Sequence, residues 1–156
     1  MANRQQTTFS QWLLQVRRAL MFRIFGLLLR AGVKVGRMSL LTVRGRKTSQ
    51  PRTTSVWLAE YDGSRFLVST YGQTNWVRNL RAAGEATLTR GRRSERIAVV
   101  ELGAKEAAPV LRSFVSTIPV VVRSSFRVTP AAPLTLFEQE VARHPVFQVM
   151  PASPNR

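Results

Sequence analysis

Gly45-Arg46-Lys47-Thr48-Ser49-Gln50-Pro51-Arg52 crowds three cations and two hydroxyls into one short stretch. Arginine grips phosphate or carboxylate through two parallel N–H bonds, and lysine adds a mobile point charge. A tight turn adds backbone N–H groups as anion donors. Gly45 is expected to supply the unusual φ of such a turn. The chemistry is anion binding; the bland alternative is a solvated hairpin tip. A second stretch runs Tyr71-Gly72-Gln73-Thr74-Asn75-Trp76-Val77-Arg78-Asn79-Leu80-Arg81. Trp76 and Asn79 are three apart, so a helix places them on one face. A flat ring beside an amide suits a planar heterocycle, one stacking and the other hydrogen bonding. A tryptophan on a short helix also serves as plain core, and the residues alone leave that open.

Other chemistries are poorly supplied. The chain has no cysteine, which removes disulfides, thiolate metal sites and cysteine nucleophiles together. His144 is the only histidine, and there are eight acids in all, so no metal site is expected. No Gly-x-Ser-x-Gly elbow, Walker A run or Gly-x-Gly-x-x-Gly turn is present. A serine triad, a P-loop and a dinucleotide Rossmann unit are therefore unsupported.

The formal net charge is +16 over 156 residues, and its placement matters more than its size. Eleven Lys and Arg and no acid lie between Met1 and Ala59. A half of one sign repels itself when compact, so an anion is expected to face part of it. Nucleic acid, a membrane surface and a small polyanion are the candidates. The Arg90-Gly91-Arg92-Arg93 hairpin invites nucleic acid, but neither an RNP-like aromatic set nor a helix-turn-helix pattern accompanies it. No specific nucleic-acid partner is expected.

The elements that must position these residues follow from period and punctuation. Phe9 to Ala31 reads as a helix, with Phe9, Leu13, Val16, Leu20, Ile24 and Leu27 at helical spacing. Its arginines leave it no apolar run long enough to span a bilayer. It either packs as a cap or lies at a membrane interface with its arginines at lipid phosphates. Strands are expected at Met38–Arg44, Arg52–Glu60 and Arg65–Thr70, the last two joined by the tight turn Asp62-Gly63. A short helix, Trp76–Ala83, is capped by Asn75 and ended by Gly84. A hairpin of Glu85–Arg90 and Ser94–Leu102 follows, then a helix over Ala104–Thr117. Pro119–Pro133 reads as irregular, Leu134–Arg143 as a helix and Val146–Val149 as a last strand. Hairpins with occasional helices predict a mainly antiparallel α+β domain.

The run Leu-Leu-Thr-Val-Arg-Gly-Arg-Lys-Thr-Ser-Gln-Pro-Arg-Thr-Thr-Ser-Val, residues 40 to 56, closely resembles the signature of the deazaflavin-dependent nitroreductase family. So does Asn-Trp-Val-Arg-Asn-Leu-Arg-Ala, residues 75 to 82, at that family's spacing, and His-Pro-Val-Phe, residues 144 to 147, is similar to the close of many members. The likeness runs from about Met38 to Glu101. It implies a split β-barrel, α+β, of six mainly antiparallel strands like the FMN-binding split barrels, with an N-terminal helix and short flanking helices. It implies the reduced deazaflavin coenzyme F420 as cofactor, with FMN as the alternative. By resemblance, Arg46, Lys47 and Arg52 hold the phosphate and acidic tail, and Thr48 adds a polar contact. Thr53, Thr54, Ser55, Val56 and Trp57 form the strand beneath the cofactor. Val68, Ser69, Thr70, Tyr71 and Gly72 form the strand end and loop beside it. Asn75, Trp76 and Asn79 supply the short-helix contacts.

The expected activity is an oxidoreductase passing a hydride from reduced deazaflavin to an electron-poor acceptor: a quinone, an enone or a nitroaromatic. The proton is expected from water or from Tyr71, Ser69 or Thr70. Better-known nitro-reducing members carry substrate-touching tyrosines in the C-terminal third, and this chain has no tyrosine after Tyr71. A non-catalytic cofactor- or lipid-binding barrel is the alternative. The division expected is a helical segment over residues 1–37, a barrel over 38–150 and a tail over 151–156. A monomer is expected, cytoplasmic; peripheral contact at the inner face of the plasma membrane through Phe9 to Ala31 goes with the interfacial reading of that helix and not with the packed one. His144 is expected to be structural.

Overall fold

The computed structural model describes residues 36–152, together with Ile24, Leu27, Leu28 and Ala31. Most of the helix expected over Phe9–Ala31 thus lies outside the described residues. Of the four, Ile24, Leu27 and Leu28 are helical and exposed, and the Ala31 N–H donates to the Leu27 carbonyl at 2.9 Å. Among the described residues no helix is long and apolar enough to cross a membrane.

Six strands close into a barrel in the order β1-β2-β3-β6-β5-β4. They are β1 (Met38–Arg44), β2 (Pro51–Tyr61), β3 (Ser64–Val68), β4 (Glu85–Arg90), β5 (Arg93–Glu101) and β6 (Val146–Pro151). Every pairing is antiparallel, and β1 closes the cylinder on β4 through Leu41 opposite Leu88. Closure leaves no strand edge unpaired, which suits a short chain that must avoid edge-to-edge association.

Alternation decides which side chains enter the barrel. Val56 and Leu58 of β2, Leu67 of β3, Ile97 of β5 and Phe147 of β6 point inward, with Leu41 and Leu88, and all are buried. Their neighbours Trp57, Ala59, Phe66, Val68 and Val146 point outward, yet most are buried too. They are covered by helix α2 (Ala104–Thr117), whose Leu111, Phe114 and Val115 face them, and by α4 (Leu134–Val141) through Phe137. A third helix, α1 (Asn75–Ala83), drives Val77 and Leu80 into the barrel's open end at no measurable exposure. Burying one such side chain is worth about 1.5–3 kcal/mol, so this helix is anchored firmly beside the β1–β2 turn.

Differences from the sequence-based expectation are local. Helix α1 begins at Asn75 rather than Trp76, with Thr74 as its N-cap and no side-chain capping bond. Gly84 ends it in the left-handed conformation, with its N–H on the Leu80 carbonyl. Strand β3 stops at Val68 because Ser69 and Thr70 turn away toward the segment before β6, where Ser69 N–H donates to the Pro145 carbonyl at 3.0 Å. The stretch expected to be irregular holds one turn of helix, α3 (Val120–Arg123). Helix α4 ends at Val141, and β6 extends through Pro151, past the expected end of the barrel domain at 150.

Candidate functional site

The β1–β2 turn is held shut by Gly45 N–H to Gln50 O and Ser49 N–H to Gly45 O, each 2.8 Å. Gly45 does not supply the unusual φ; Ser49 does, at 57°. Gly45 is needed for space instead. A Cβ there would meet Thr48 Oγ1 at 3.1 Å and the Gln50 carbonyl at 3.2 Å. Asn79 grips the turn from α1. Its buried Oδ1 accepts the Arg46 backbone N–H at 3.2 Å and Arg46 Nη1 at 2.9 Å. Asn79, expected among the short-helix contacts to the cofactor, thus spends its oxygen on aiming Arg46.

The turn, β2 and α1 enclose an open groove of about 720 Å³. Arg46, Lys47, Thr48 and Arg52 line one end; Thr53, Thr54 and Ser55 form its floor; Tyr71, Asn75, Trp76 and Asn79 form its far wall. No acidic side chain lines it. Among the described residues no carboxylate pairs with Arg46, Lys47 or Arg52, whereas Arg65, Arg81 and Arg96 are each paired. Three unneutralised cations over a polar floor form an anion cradle, with a ring surface at Trp76 for the flat part of a ligand. Trp76 is itself fixed by a tilted contact with Phe147, ring centroids 6.0 Å apart.

The remaining expected residues collect just beyond. Val56, Trp57, Val68, Ser69 and Thr70 line a crevice of about 40 Å³ that shares Ser55, Tyr71, Thr74 and Trp76 with the groove. Val56 and Val68 are core side chains and offer only apolar surface. Trp57 Nε1 and Thr74 Oγ1 are buried with no hydrogen-bond partner. Buried orphan donors call for a water or a ligand, and the crevice has room for one water-sized group. Ser69 is 1% exposed, and its hydroxyl donates to the Gly72 carbonyl, so it is badly placed as a proton donor. Tyr71, at 42% exposed, is far more accessible than Thr70 at 5%.

Gly72 touches neither space. It lines a second cavity of about 440 Å³ with Thr70, Tyr71, Gln73, Ser125 and Arg143. Its φ of 81° requires glycine, and an added Cβ would press on the Arg143 carbonyl at 3.4 Å. Tyr71 lines both this cavity and the groove. Sequence reasoning missed Thr74, Ser125 and Arg143 as lining residues. Thr74 carried a usable signal, a threonine directly before a helix. Ser125 and Arg143 reach the site only through the packing of distant segments. His144, expected to be structural, is 3% exposed, and its Nδ1 lies 2.8 Å from the Ser69 carbonyl. Burial pushes its imidazolium below the usual histidine range, opposed by the Ser69 carbonyl and Glu140. Among the described residues no cluster of three metal-ligating side chains exists.

Comparison with known proteins agrees with this picture. No curated protein matches the chain. Among solved structures, a chain described as a domain-swapped dimer aligns with TM-score 0.53 at 15% identity, covering 90% of this chain and 98% of its own. The heme storage protein HutZ from Vibrio cholerae aligns with TM-score 0.52 at 8% identity, covering 76% of this chain and 83% of its own. An F420-H2 dependent reductase, FDR-A, aligns with TM-score 0.49 at 19% identity, over 73% of this chain and 94% of its own. At such identities the first two likenesses speak for the barrel fold alone. The family model "F420H(2)-dependent quinone reductase" matches residues 25–127, well over half of the chain. Those residues include the cationic turn, the polar strand floor, the Trp76 helix and the Tyr71 loop, and the chain belongs to the F420H(2)-dependent quinone reductase family, with coenzyme F420 as its cofactor.

Proposed function

We propose that this F420-dependent reductase seats the phosphate and acidic tail of the coenzyme on Arg46, Lys47 and Arg52, with the deazaflavin ring against Trp76. We place the electron acceptor in the second cavity, where Tyr71 is the shared wall. The observation that carries this is the single residue, Tyr71, that lines both spaces. A ligand in each then meets at one phenol. Bound reduced F420 supplies two electrons and a proton as hydride; the acceptor takes its second proton elsewhere.

The chain's own residues do the rest. Asn79 aims Arg46, Thr48 adds a hydroxyl, and Thr53, Thr54 and Ser55 give the floor its polar contacts. Asn75 offers an amide beside Trp76, and the orphan Trp57 N–H and Thr74 hydroxyl offer donors in the crevice. Transfer needs the reacting atoms within about 3–3.5 Å, so the two ligands would have to meet past the edge of the Tyr71 ring, and holding them there would remove much of the entropic barrier. The Tyr71 hydroxyl, or water reaching it, supplies the second proton to a developing oxyanion. A quinone is the acceptor we favour, ahead of an enone or a nitroaromatic, because the family model is one of quinone reductases.

The test is anaerobic titration with F420 and with FMN, followed by mixing with reduced F420 and a panel of quinones. Binding of F420 well below the FMN concentration required, with oxidation of reduced F420 only when a quinone is added, is expected. Tight binding without turnover on any quinone, enone or nitroaromatic would identify a cofactor-binding protein instead.

A further inference from the structure

His144 is the chain's only histidine, and it lies against the back of the Tyr71 loop. Its hydrogen bonding carries a constraint. The Ser69 carbonyl can only accept, so His144 Nδ1, 2.8 Å away, must carry a proton. In a neutral ring Nε2 is then a bare lone pair. Yet Nε2 faces Glu140 Oε1 at 3.3 Å without the alignment of a finished hydrogen bond and completes none in this structure, although the Ser125 backbone also bears on the ring. Glu140 is 5% exposed, and its Oε1 also accepts the Arg127 backbone N–H at 3.1 Å. Two buried acceptors face to face with nothing between them are costly, and a proton between them removes the conflict.

We propose that His144 and Glu140 hold one proton between Nε2 and Oε1, and that this pair is the positioning unit for the Ser69–Gly72 loop. The chain of bonds runs Arg127 N–H to Glu140, Glu140 to His144, and His144 to the Ser69 carbonyl. The loop is tied to the same segment by Ser69 N–H to Pro145 O and Gln73 Nε2 to Ala142 O, both 3.0 Å. Phe126 stacks on the imidazole with ring centroids 4.1 Å apart. The other groups facing the ring are Arg143 on its own segment and the Ser125 carbonyl from the preceding loop. A shared proton leaves the pair without net charge, which costs less in a buried site than a lone charge would. Loss of that proton at raised pH puts a bare carboxylate against a lone pair and loosens the loop that carries Tyr71.

The consequence for ligands rests on the function proposed above; the proton itself does not, and the experiment separates them. In the full chain without coenzyme, ¹⁵N-labelled histidine gives a single imidazole. Its Nδ1 should stay protonated across neutral pH, while the Nε2 signal moves as the pair gives up its proton. Glu140→Gln presents a fixed N–H to Nε2, so that movement should vanish with the Nδ1–H tautomer kept. An Nε2–H tautomer, or the same titration in both proteins, overturns the shared proton. For the loop, F420 affinity should fall at least about tenfold in His144→Phe and stay within about threefold in His144→Asn, whose amide restores the bond to Ser69. In wild type the affinity should fall as pH rises, and in Glu140→Gln it should not. Equal loss in the Phe and Asn variants overturns the positioning role. F420 binding absent from every protein, wild type included, would instead overturn the proposed function and leave the imidazole result to decide the proton.

Discussion

Two basic regions of this barrel treat their arginines differently. Around β5, Arg65 of β3 meets Glu95 through two nitrogens, Arg81 of α1 meets Glu101 at 2.6 Å and Arg96 of β5 meets Glu85 of β4 at 3.2 Å. Around the β1–β2 turn, Arg46, Lys47 and Arg52 have no such partners among the described residues, and the one strong tie is Arg46 to a neutral amide. The first region spends its charge on the fold, and exposed pairs of that kind contribute only about 0–1 kcal/mol each. The second leaves its charge unpaired among the described residues, where the proposed coenzyme tail would meet it. The physical signature of the site is therefore not positive charge, which the whole chain has, but positive charge left unneutralised over a groove.

The comparison can be broken most severely by removing the free cations. Arg46→Ala/Lys47→Ala should weaken F420 binding by about a hundredfold or more, since hydrogen bonds to charged groups are worth about 1.5–3 kcal/mol each. Equilibrium titration checks it, and unchanged affinity would move the anion site elsewhere. A sharper probe makes the second region resemble the first. Asn79→Asp turns the amide–guanidinium bond into an ion pair, and F420 affinity should fall about tenfold with the fold intact by circular dichroism. Raising salt from about 50 to 500 mM should then weaken wild-type binding several-fold through screening, and the double-alanine variant less. The smallest effects belong to the paired region. Arg65→Ala should leave F420 affinity unchanged and cost about 0–1 kcal/mol in a denaturant melt. Its pH dependence follows from Glu95, which Arg65 holds below the usual carboxylate range. A lowered folded pKa means stability present above the unfolded value of 4.5 and lost as pH falls through the folded one. The melt of wild type should therefore drop slightly more than that of Glu95→Gln on acidification below pH 4.5.

Much of the frame was legible residue by residue. β1 and α2 fall on the expected bounds, Met38–Arg44 and Ala104–Thr117, because alternation and alanine-rich periodicity are local signals. The turn's cations and the Trp76–Asn79 spacing marked the groove correctly, since three-residue spacing fixes a helix face whatever lies around it. The Asp62-Gly63 turn also declared itself, and both residues carry positive φ, as the hairpin requires. Other details were hidden for identifiable reasons. Gly45 reads as a φ glycine but is there because Thr48 and Gln50 fold back on it, which depends on the turn's final shape. That the Asn79 oxygen holds Arg46 was not legible, because the bond spans 33 residues.

The sequence by itself determined the strand and helix pattern, the concentration of charge in one turn, the absence of thiols and the family to which the chain belongs. Each of these is written in neighbouring residues or in spacing along one element. Only the tertiary structure decided which cations stay unpaired, which amide aims Arg46, and that Tyr71 stands between two cavities. It alone set His144 against Glu140 behind the Ser69 carbonyl. Those facts depend on distances between segments as far apart as Ser69 and His144, and such distances exist only once the barrel has closed and the helices have packed on it.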